Sequence, residues 1–440
     1  MKFKFFLSVL LFVSFQTMAN KTTYSFWTQK WIENSSANAN QEGYQEALSN
    51  HNWHYKNRKI LHESAQDYLQ QLELQEVFFI DPELEDYLYQ LIYQIHPKEF
   101  PDQQNIHLNI KMIKSVVPEV FSFANGTIII STGMLSLLQS EDELIAVLAR
   151  EIAHLSLDHN IEAYTALQTK KTISSIIGTG VYIASTVNSM DKGDSFWEAD
   201  YLGSFYGAGS ELLSYGLLSA LGVGYNRTRT YEADEIAQEW MMENQRNPYA
   251  LVQVIRRLQF FESKHRGTNL ALDENRFFIT NRFENILKKK KYNLEPSKIQ
   301  LMPLDINYDT NISDCLMINS KLLVSEEIYS EAIPYLNRSI KSNWVSGESY
   351  LLKAIAMRHT KYSESDNRAI LSLLEKAKEN ASTDLPWIWS EEGLIHLRLK
   401  EDNDALNAFV KFEEYFSEEQ SDTAFWAQKM IAKLKKRINL

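Results

Sequence analysis

The residues best suited to chemistry lie in one short stretch, where Glu151 and His154 stand three positions apart. In a zinc hydrolase helix of the pattern His-Glu-x-x-His, two histidines four residues apart bind one metal ion. The glutamate between them is the general base for the metal-bound water. Here Arg150 occupies the first histidine position. Because an arginine side chain stays protonated and has no lone pair to offer, the stretch has the form of a zinc motif that lacks a ligand.

Patterns upstream of this stretch predict the elements that would position it. Ser140, followed three residues later by Glu143, has the form of a capping box and predicts that a helix begins there. Earlier in the chain, the pair Asn125-Gly126 interrupts a β-rich segment at residues 116–132, which is a strong short-range signal for a β-hairpin. We therefore expect the motif on a helix that follows a small sheet.

Five short features occur in a particular order along the chain. They are Asp81-Pro82 at the start of a predicted helix, the hairpin at 121–133, the acidic lead 141–144 into the motif, Tyr225-Asn226-Arg227, and Glu232-Ala233-Asp234. Together they resemble peptidase family M48, which includes the HtpX-like heat-shock proteases and the CAAX prenyl proteases. The resemblance covers roughly residues 75–287 and implies a zincin-like metallopeptidase core.

The resemblance also implies a ligand set. The family binds zinc through both motif histidines and through a glutamate four residues before the aspartate of the Ala-Asp pair. In this sequence the three ligand positions hold Arg150, His154 and Thr230, and the general-base position holds Glu151. Catalytic zinc needs about three protein ligands and a water molecule. The resemblance thus implies zinc for the family, but weak or no zinc binding here, with His154 as the surviving ligand.

Further positions follow from the same resemblance. Family members place an asparagine at the start of the edge strand that borders the substrate, and this position holds a glutamate here. The substrate-cleft positions implied by the resemblance are Glu119, Phe121, Phe123 and Gly126. Behind the ligand positions, the resemblance implies supporting roles for Asp234 and Arg227.

A cation at a former metal position needs partners. Buried charges are tolerated only when they are paired. We expect Arg150 to occupy the vacated metal space and to pair with Glu151, and also with Glu119. A fixed cation there would repel Zn²⁺ by several kcal/mol or so at interior contact distance.

The surviving histidine has a simpler interpretation. A lone histidine on a helix is more often a hydrogen-bonded core residue than a ligand, and His154 is interpreted in that way. A site rebuilt from His154, His159 and Glu232 is not expected, because residues five apart on a helix point about 140° away from each other. That argument holds unless the helix ends between the two histidines.

The last third of the chain shows a repeat. Ala332, Ala369 and Ala405, offset by 37 and 36 residues, each lie near the start of an amphipathic pattern, and further helical patterns precede two of them. Helix pairs at this interval resemble a tetratricopeptide array, with residues 425–438 as a polar cap. A plain helical bundle is the alternative.

These patterns predict an α+β fold that is mainly helical, with a small sheet in a zincin-like core and a helical repeat domain after it. The predicted divisions are a signal peptide at 1–19, an N-terminal segment without a structural prediction at 20–74, the metallopeptidase-like domain at 75–287, a linker at 288–310, and tetratricopeptide-like repeats at 311–440.

The N-terminus predicts export. Lys2 and Lys4 precede an apolar run at residues 5–15, and small residues ending at Ala19 form a cleavage motif. The run is shorter than the ~20 residues of a membrane span. We expect cleavage after Ala19 and location in the periplasm or envelope lumen; an uncleaved anchor is the alternative. With Cys315 as its only cysteine, the chain cannot form an internal disulfide.

Charge and apolar content limit the partners. The formal net charge is −12, which argues against a nucleic-acid ligand, because phosphate binding needs a basic surface. Two apolar stretches rich in small residues, at 173–187 and 201–223, are interpreted as buried helices rather than as membrane contacts or a mobile lid. Membrane contact stays open.

Two functions of different classes remain. The first is a pseudopeptidase that binds polypeptides in the old substrate cleft, through main-chain strand addition, and through its helical repeats. The second is an active zinc endopeptidase with unusual ligands. Arg150 and Thr230 favour the first, since each removes a ligand. A third possibility is that the repeats alone are functional and the core merely carries them.

Overall fold

The computed structural model describes residues 55–95, 108–168, 225–266, 272, 279–289, 292, 294–295, 305–342, 345–416 and 422–438. The predicted signal peptide and the two apolar stretches at 173–187 and 201–223 lie outside the described residues. In the described part of the chain, no helix is long and apolar enough to cross a membrane.

The described residues are mainly helical, with one small sheet, as the sequence predicts. In chain order the first elements are α1 (Tyr55–Leu74), β1 (Phe78–Phe79), α2 (Pro82–Ile95), β2 (Asn109–Ile113), β3 (Val120–Ser122), β4 (Thr127–Ser131), α3 (Thr132–Leu137), α4 (Glu141–Ser156), α5 (His159–Gln168), α6 (Arg227–Glu243), α7 (Ala250–His265) and α8 (Ile279–Lys288). The fold is therefore α+β.

The sheet has the strand order β1-β2-β4-β3, so β3 lies at an edge. β2 and β4 are parallel, whereas β1 and β3 are antiparallel to their neighbours. The predicted hairpin between β3 and β4 is confirmed. Its turn places Gly126 at a φ of 88°, in the left-handed region that glycine adopts without a steric cost, and the Thr127 amide donates to Asn125 Oδ1 at 3.1 Å.

The two faces of the sheet are covered by different helices. One face packs on α1, and this cluster contains Ala65, Tyr68, Leu72, Ile113, Phe121, Phe123 and Ile129. Alternate residues of the strands point to the opposite face, which packs against α2 and α4, and these are Ile110, Met112, Val120, Ile128 and Ile130. Helix α4 thus lies directly beneath the sheet.

Helix α1 also joins the sheet to α5. Arg58 donates to both carboxylate oxygens of Asp158 at 3.0 and 2.8 Å, and Asn57 Nδ2 donates to Thr165 Oγ1 at 2.9 Å. The segment at 20–74, which had no structural prediction, therefore ends in a helix that is part of the core.

Helix α4 begins at the predicted cap. Ser140 Oγ accepts from the Glu143 amide at 3.3 Å. The reciprocal contact differs from the predicted capping box, because the Glu143 carboxylate accepts from the Gln139 amide at 2.7 Å and from Arg257 at 3.0 Å. Glu143 thereby joins α4 to α7 as well as capping the helix.

The C-terminal end of α4 lies between the two histidines. The helix ends at Ser156, and α5 begins at His159. Asp158 adopts a φ of 55°, and left-handed conformations of this kind break a helix. Aspartate tolerates them better than most residues. Because the helix ends between them, His154 and His159 can lie close together.

Among the residues described after α8, eight further helices follow. They are α9 (Ile306–Asn311), α10 (Ser313–Ser325), α11 (Tyr329–Lys341), α12 (Gly347–Thr360), α13 (Glu364–Glu379), α14 (Trp387–Leu399), α15 (Asp402–Phe416) and α16 (Asp422–Arg437). From α10 onward, successive helices pack side by side as helical hairpins. This agrees with the predicted helical repeat; its assignment as a tetratricopeptide array stays a prediction.

The alanines that defined the repeat do not all occupy equivalent places. Ala332 and Ala405 are fully buried, whereas Ala369 is exposed and its neighbour Ile370 is buried. At the crossing of α14 and α15 the small residue is Gly393, where an added Cβ would lie 2.7 Å from the Phe409 ring. The close helix contact there is made by a glycine of the preceding helix.

One apolar core runs from α2 into the repeat helices. Buried polar contacts accompany it. Asn319 on α10 accepts from Thr132 Oγ1 at 2.8 Å and donates to Ser136 Oγ at 2.7 Å, and the Tyr308 hydroxyl donates to the Leu135 carbonyl at 2.7 Å. The repeat helices are thus packed onto α3, while the predicted domain boundaries stay predictions.

Candidate functional site

The Arg150 guanidinium lies in a buried ionic network. Its Nη1 donates to Glu151 Oε1 at 2.5 Å, as predicted. Its Nε lies 3.3 Å from Asp234 Oδ1 on α6. Asp234 also accepts from Arg282 on α8, at 2.8 and 2.7 Å. The predicted pairing of Arg150 with Glu119 stays a prediction.

Glu151 is fully buried, and both of its carboxylate oxygens are engaged. Oε1 accepts from Arg150, and Oε2 accepts from the Ser122 hydroxyl of β3 at 3.1 Å. Asn160 Nδ2 donates to the Ser122 carbonyl at 2.7 Å and to the Tyr225 hydroxyl at 2.9 Å. A general base must be free to accept a proton from water within hydrogen-bond reach, and this carboxylate is held by donors on both sides.

His154 is a packed core residue. Its ring stacks on Tyr225 with centroids 3.7 Å apart, and its Nδ1 lies 2.9 Å from Nδ1 of His159. Burial, and then the charge of Arg150, lowers the pKa of His154 well below its usual value. Burial, Arg229 and Arg150 lower the pKa of His159 to about 4. Both rings are therefore neutral at pH 7, so one donates a hydrogen bond and the other accepts it.

The expectation that His154 and His159 point apart depended on one continuous helix, and it does not apply because α4 ends between them. His159 Nε2 also lies 3.3 Å from Glu232 Oε2. The three residues form a row and do not surround a common point, since His159 uses opposite ring nitrogens toward its two neighbours. Their proximity is thus real, but it does not have the geometry of a metal site.

Thr230, at the third ligand position, is buried and turns its hydroxyl back onto its own helix. Its Oγ1 donates to the Asn226 carbonyl at 3.1 Å. His154 Nε2 is buried without a hydrogen-bond partner in the described structure. Among the described residues, the metal-type side chains that do converge are His396, Glu401 and Asp404, which lie in the repeat helices. The residues present at the motif do not fit a catalytic zinc ion.

The four residues predicted to border a substrate cleft lie in different parts of the structure. Phe121 and Phe123 are 1% and 0% exposed and pack in the core beneath α1, where Tyr68 contacts Phe123 edge-on. Gly126 forms the hairpin turn. Glu119 is buried, and its amide donates to Ser131 Oγ at 2.9 Å. The two phenylalanine side chains therefore cannot line an open cleft as predicted, because strand alternation and α1 place them inside.

The main chain of β3 offers a different surface. The Phe123 amide donates to the Thr127 carbonyl, and the Ser131 amide donates to the Glu119 carbonyl. The odd-numbered residues of this edge segment therefore direct their main-chain groups toward β4. The main-chain groups of Val120 and Ser122 consequently point outward from the sheet. Asn160 already occupies the Ser122 carbonyl.

Of the two supporting residues implied by the resemblance, Asp234 lies in the ionic network and Arg227 is exposed at the start of α6. Ser122, Asn160 and Arg282 are further residues of the site that no sequence pattern predicts. No spacing rule connects these residues to Glu151 or Asp234, because they lie on separate elements.

Comparison with known families matches residues 81–299 to peptidase family M48. The matched segment contains the sheet strands β2 to β4, the motif helix α4 and the network helices α6 and α8. No curated protein matches the chain. Members of the family are normally zinc-dependent. From the site geometry and this match, the chain belongs to peptidase family M48.

Proposed function

We propose that this protein is a pseudopeptidase that binds polypeptides and does not cleave them. Export supports a role in the periplasm or envelope lumen, in protein quality control or as a scaffold. The proposal combines the family membership with the altered motif and with the predicted signal peptide at residues 1–19.

One observation carries the proposal. Glu151, at the general-base position, is buried between the Arg150 guanidinium and the Ser122 hydroxyl. A peptidase of this class needs that carboxylate beside a metal-bound water. Here the cation that contacts it is a side chain without a lone pair or an exchangeable water ligand.

Polypeptide binding does not require zinc. In strand addition, an extended peptide pairs with the main chain of an exposed sheet edge. Val120 lies on the edge strand β3 and is only 6% exposed, so its outward main-chain groups offer a short pairing site, which Asn160 limits further by occupying the Ser122 carbonyl. The helical hairpins after α9 supply a second surface for a polypeptide.

The test measures metal and cleavage on the full mature chain. We expect substoichiometric zinc by mass spectrometry after purification in zinc-supplemented buffer, and no cleavage of β-casein. A stoichiometric, tightly held zinc ion with casein cleavage that a chelator abolishes would establish the alternative, an active endopeptidase with an atypical ligand set.

The double variant Arg150→His with Thr230→Glu is the matched control, because it restores both missing ligand types at once. We expect it to take up zinc. Its failure to do so would mean that Thr230 is not the third ligand position or that Tyr225 closes the metal space. A photo-crosslinker at Val117, which is half-buried just before β3, should capture fluorescent β-casein; capture only by a crosslinker on the repeat helices would assign binding to the repeats alone.

A further inference from the structure

The ionic network around the former metal position is electrically balanced. Arg150 and Arg282 supply two positive charges, and Glu151 and Asp234 supply two negative charges, in a set whose members are at most 7% exposed. An isolated ionised carboxylate in such a place is very unfavourable, so each acid needs a cation nearby. Arg282 donates two hydrogen bonds to Asp234, whereas Arg150 contacts both Glu151 and Asp234.

The same network joins two helices. In the ligand set implied by the family resemblance, metal bonds from positions 150 and 154 on α4 and from position 230 on α6 would connect these helices through the ion. In this chain the Arg150–Asp234 contact connects α4 to α6 directly. Asp234 lies one helical turn after Thr230, whose hydroxyl is directed to its own helix.

We infer that Arg150 is a built-in cation that takes the structural place of the metal. It connects α4 to α6 and places a positive charge against the carboxylates of Glu151 and Asp234 in the core. Glu151 is then retained as the counter-charge of Arg150 and has a structural role. This inference goes beyond polypeptide binding, since it concerns what holds the core of the domain together.

The inference makes Glu151→Gln the informative variant. In an enzyme that used Glu151 as a base, the neutral isostere would remove activity without weakening the fold. Here it leaves the Arg150 charge without its nearest partner, so the melting temperature should fall by on the order of 5 °C. Glu162→Gln is the matched control, because Glu162 pairs with Arg229 at 2.9 Å with half of its side chain exposed, and its loss should change the melting temperature little.

Two further measurements complete the test. The melting temperature of the wild type should be unchanged by EDTA or by added ZnCl₂. Arg150→Met should be as damaging as Glu151→Gln, and the double variant Arg150→Met/Glu151→Gln should recover most of the loss, because no buried charge is then left unpaired while Asp234 keeps Arg282.

Several results would overturn the inference: a lower melting temperature of the wild type in EDTA, a Glu151→Gln variant as stable as Glu162→Gln, or single losses that simply add in the double variant. If Arg150→Met does not fold, Glu151→Gln and the wild-type EDTA measurement still decide. Capture of β-casein at Val117 is measured separately, so failure of the binding proposal is distinguishable from failure of this inference.

Discussion

His62 on α1 shows how burial sets the charge state of one side chain. Burial, together with the neighbouring Arg58 charge, lowers the pKa of His62 from 6.5 to about 4, although a backbone hydrogen bond at Ala124 and the Asp158 charge oppose the shift. The folded protein therefore favours the neutral ring. Between pH 6.5 and 4, the unfolded chain binds more protons at this position than the folded one does.

The contribution of His62 to the free energy of unfolding therefore increases with pH. The contribution of a neutral His62 is fully present above pH 6.5 and is lost as the pH falls toward about 4. We expect His62→Gln to lose less stability than the wild type between pH 7.5 and 5, by on the order of 1 kcal/mol after allowance for solvent around a partly exposed ring. Urea unfolding at the two pH values measures this. His154 and His159 titrate in both proteins, so parallel pH dependences would contradict the assignment.

Residue types alone predict only some of the contacts of Arg150. That a guanidinium replaces a ligand, and that it pairs with Glu151, follows from residue chemistry and adjacency. Its contact with Asp234 on α6 does not follow, because 84 residues separate them and their approach depends on how two helices pack. The same is true of Arg282.

At the scale of elements, the start of α3 is constrained by a close backbone contact. The Gly133 amide donates to the Ser115 carbonyl at 2.7 Å. A Cβ at Gly133 would lie only 2.4 Å from the Val116 carbonyl oxygen, and backbone atoms cannot move away as a flexible side chain can. Helix α3 carries the residues that contact the repeat helices.

We expect Gly133→Ala to lower the free energy of unfolding by about 1–3 kcal/mol, the range typical of a forced contact in a packed interior. Chemical denaturation of the variant and the wild type measures the difference. Gly393→Ala is a useful comparison, because there the added methyl would meet the Phe409 side chain, which can shift, so its loss should be smaller. An undiminished stability of Gly133→Ala would show that the segment at 115–116 yields.

The boundary between α4 and α5 is an element that sequence patterns did not resolve. The apolar periodicity indicates where a helix begins and which face is buried, but no glycine or proline marks the end near residue 156. The break is made by Asp158 in the left-handed region, held by Arg58 of α1. A contact from a distant helix thus decides that His154 and His159 meet.

At the scale of the whole molecule, Arg338 ties the repeat helices to the metallopeptidase-like region. On α11 it forms an ion pair with Asp309 at 2.6 Å, and its terminal nitrogens donate to the carbonyls of Ser136 and Leu138 at the end of α3. Both Arg338 and Asp309 are buried. Because this contact accompanies a continuous apolar core, we expect the two regions to unfold together.

We expect Arg338→Met to destabilise the full chain by about 3–5 kcal/mol, because Asp309 is left as a buried charge without this partner. Arg368→Met is the matched control, since Arg368 pairs with Glu401 at 2.5 Å but is half exposed, and little change is expected. Both regions should unfold in one transition, followed by circular dichroism and tryptophan fluorescence. Two separate transitions, with the repeat helices unaffected by Arg338→Met, would contradict a single unit.

The sequence by itself determined the features that depend on neighbouring residues or on a repeated pattern. These are the family, the helical repeat region, the hairpin around Gly126, the start of α4 at Ser140, and the absence of a lone pair on the Arg150 side chain beside Glu151. Turn geometry, helix capping and proton affinity are local properties, so short stretches suffice to predict them.

Only the tertiary structure decided which side chains meet. The Asp234 contact to Arg150, the Asn160 contact to the β3 edge, and the inward position of Phe121 beneath α1 all join elements that are distant along the chain. Such contacts result from the burial of a shared core, in which many helix packings satisfy the same apolar pattern. The apolar pattern specifies which residues must be buried. The packing of all elements together specifies which residues they contact.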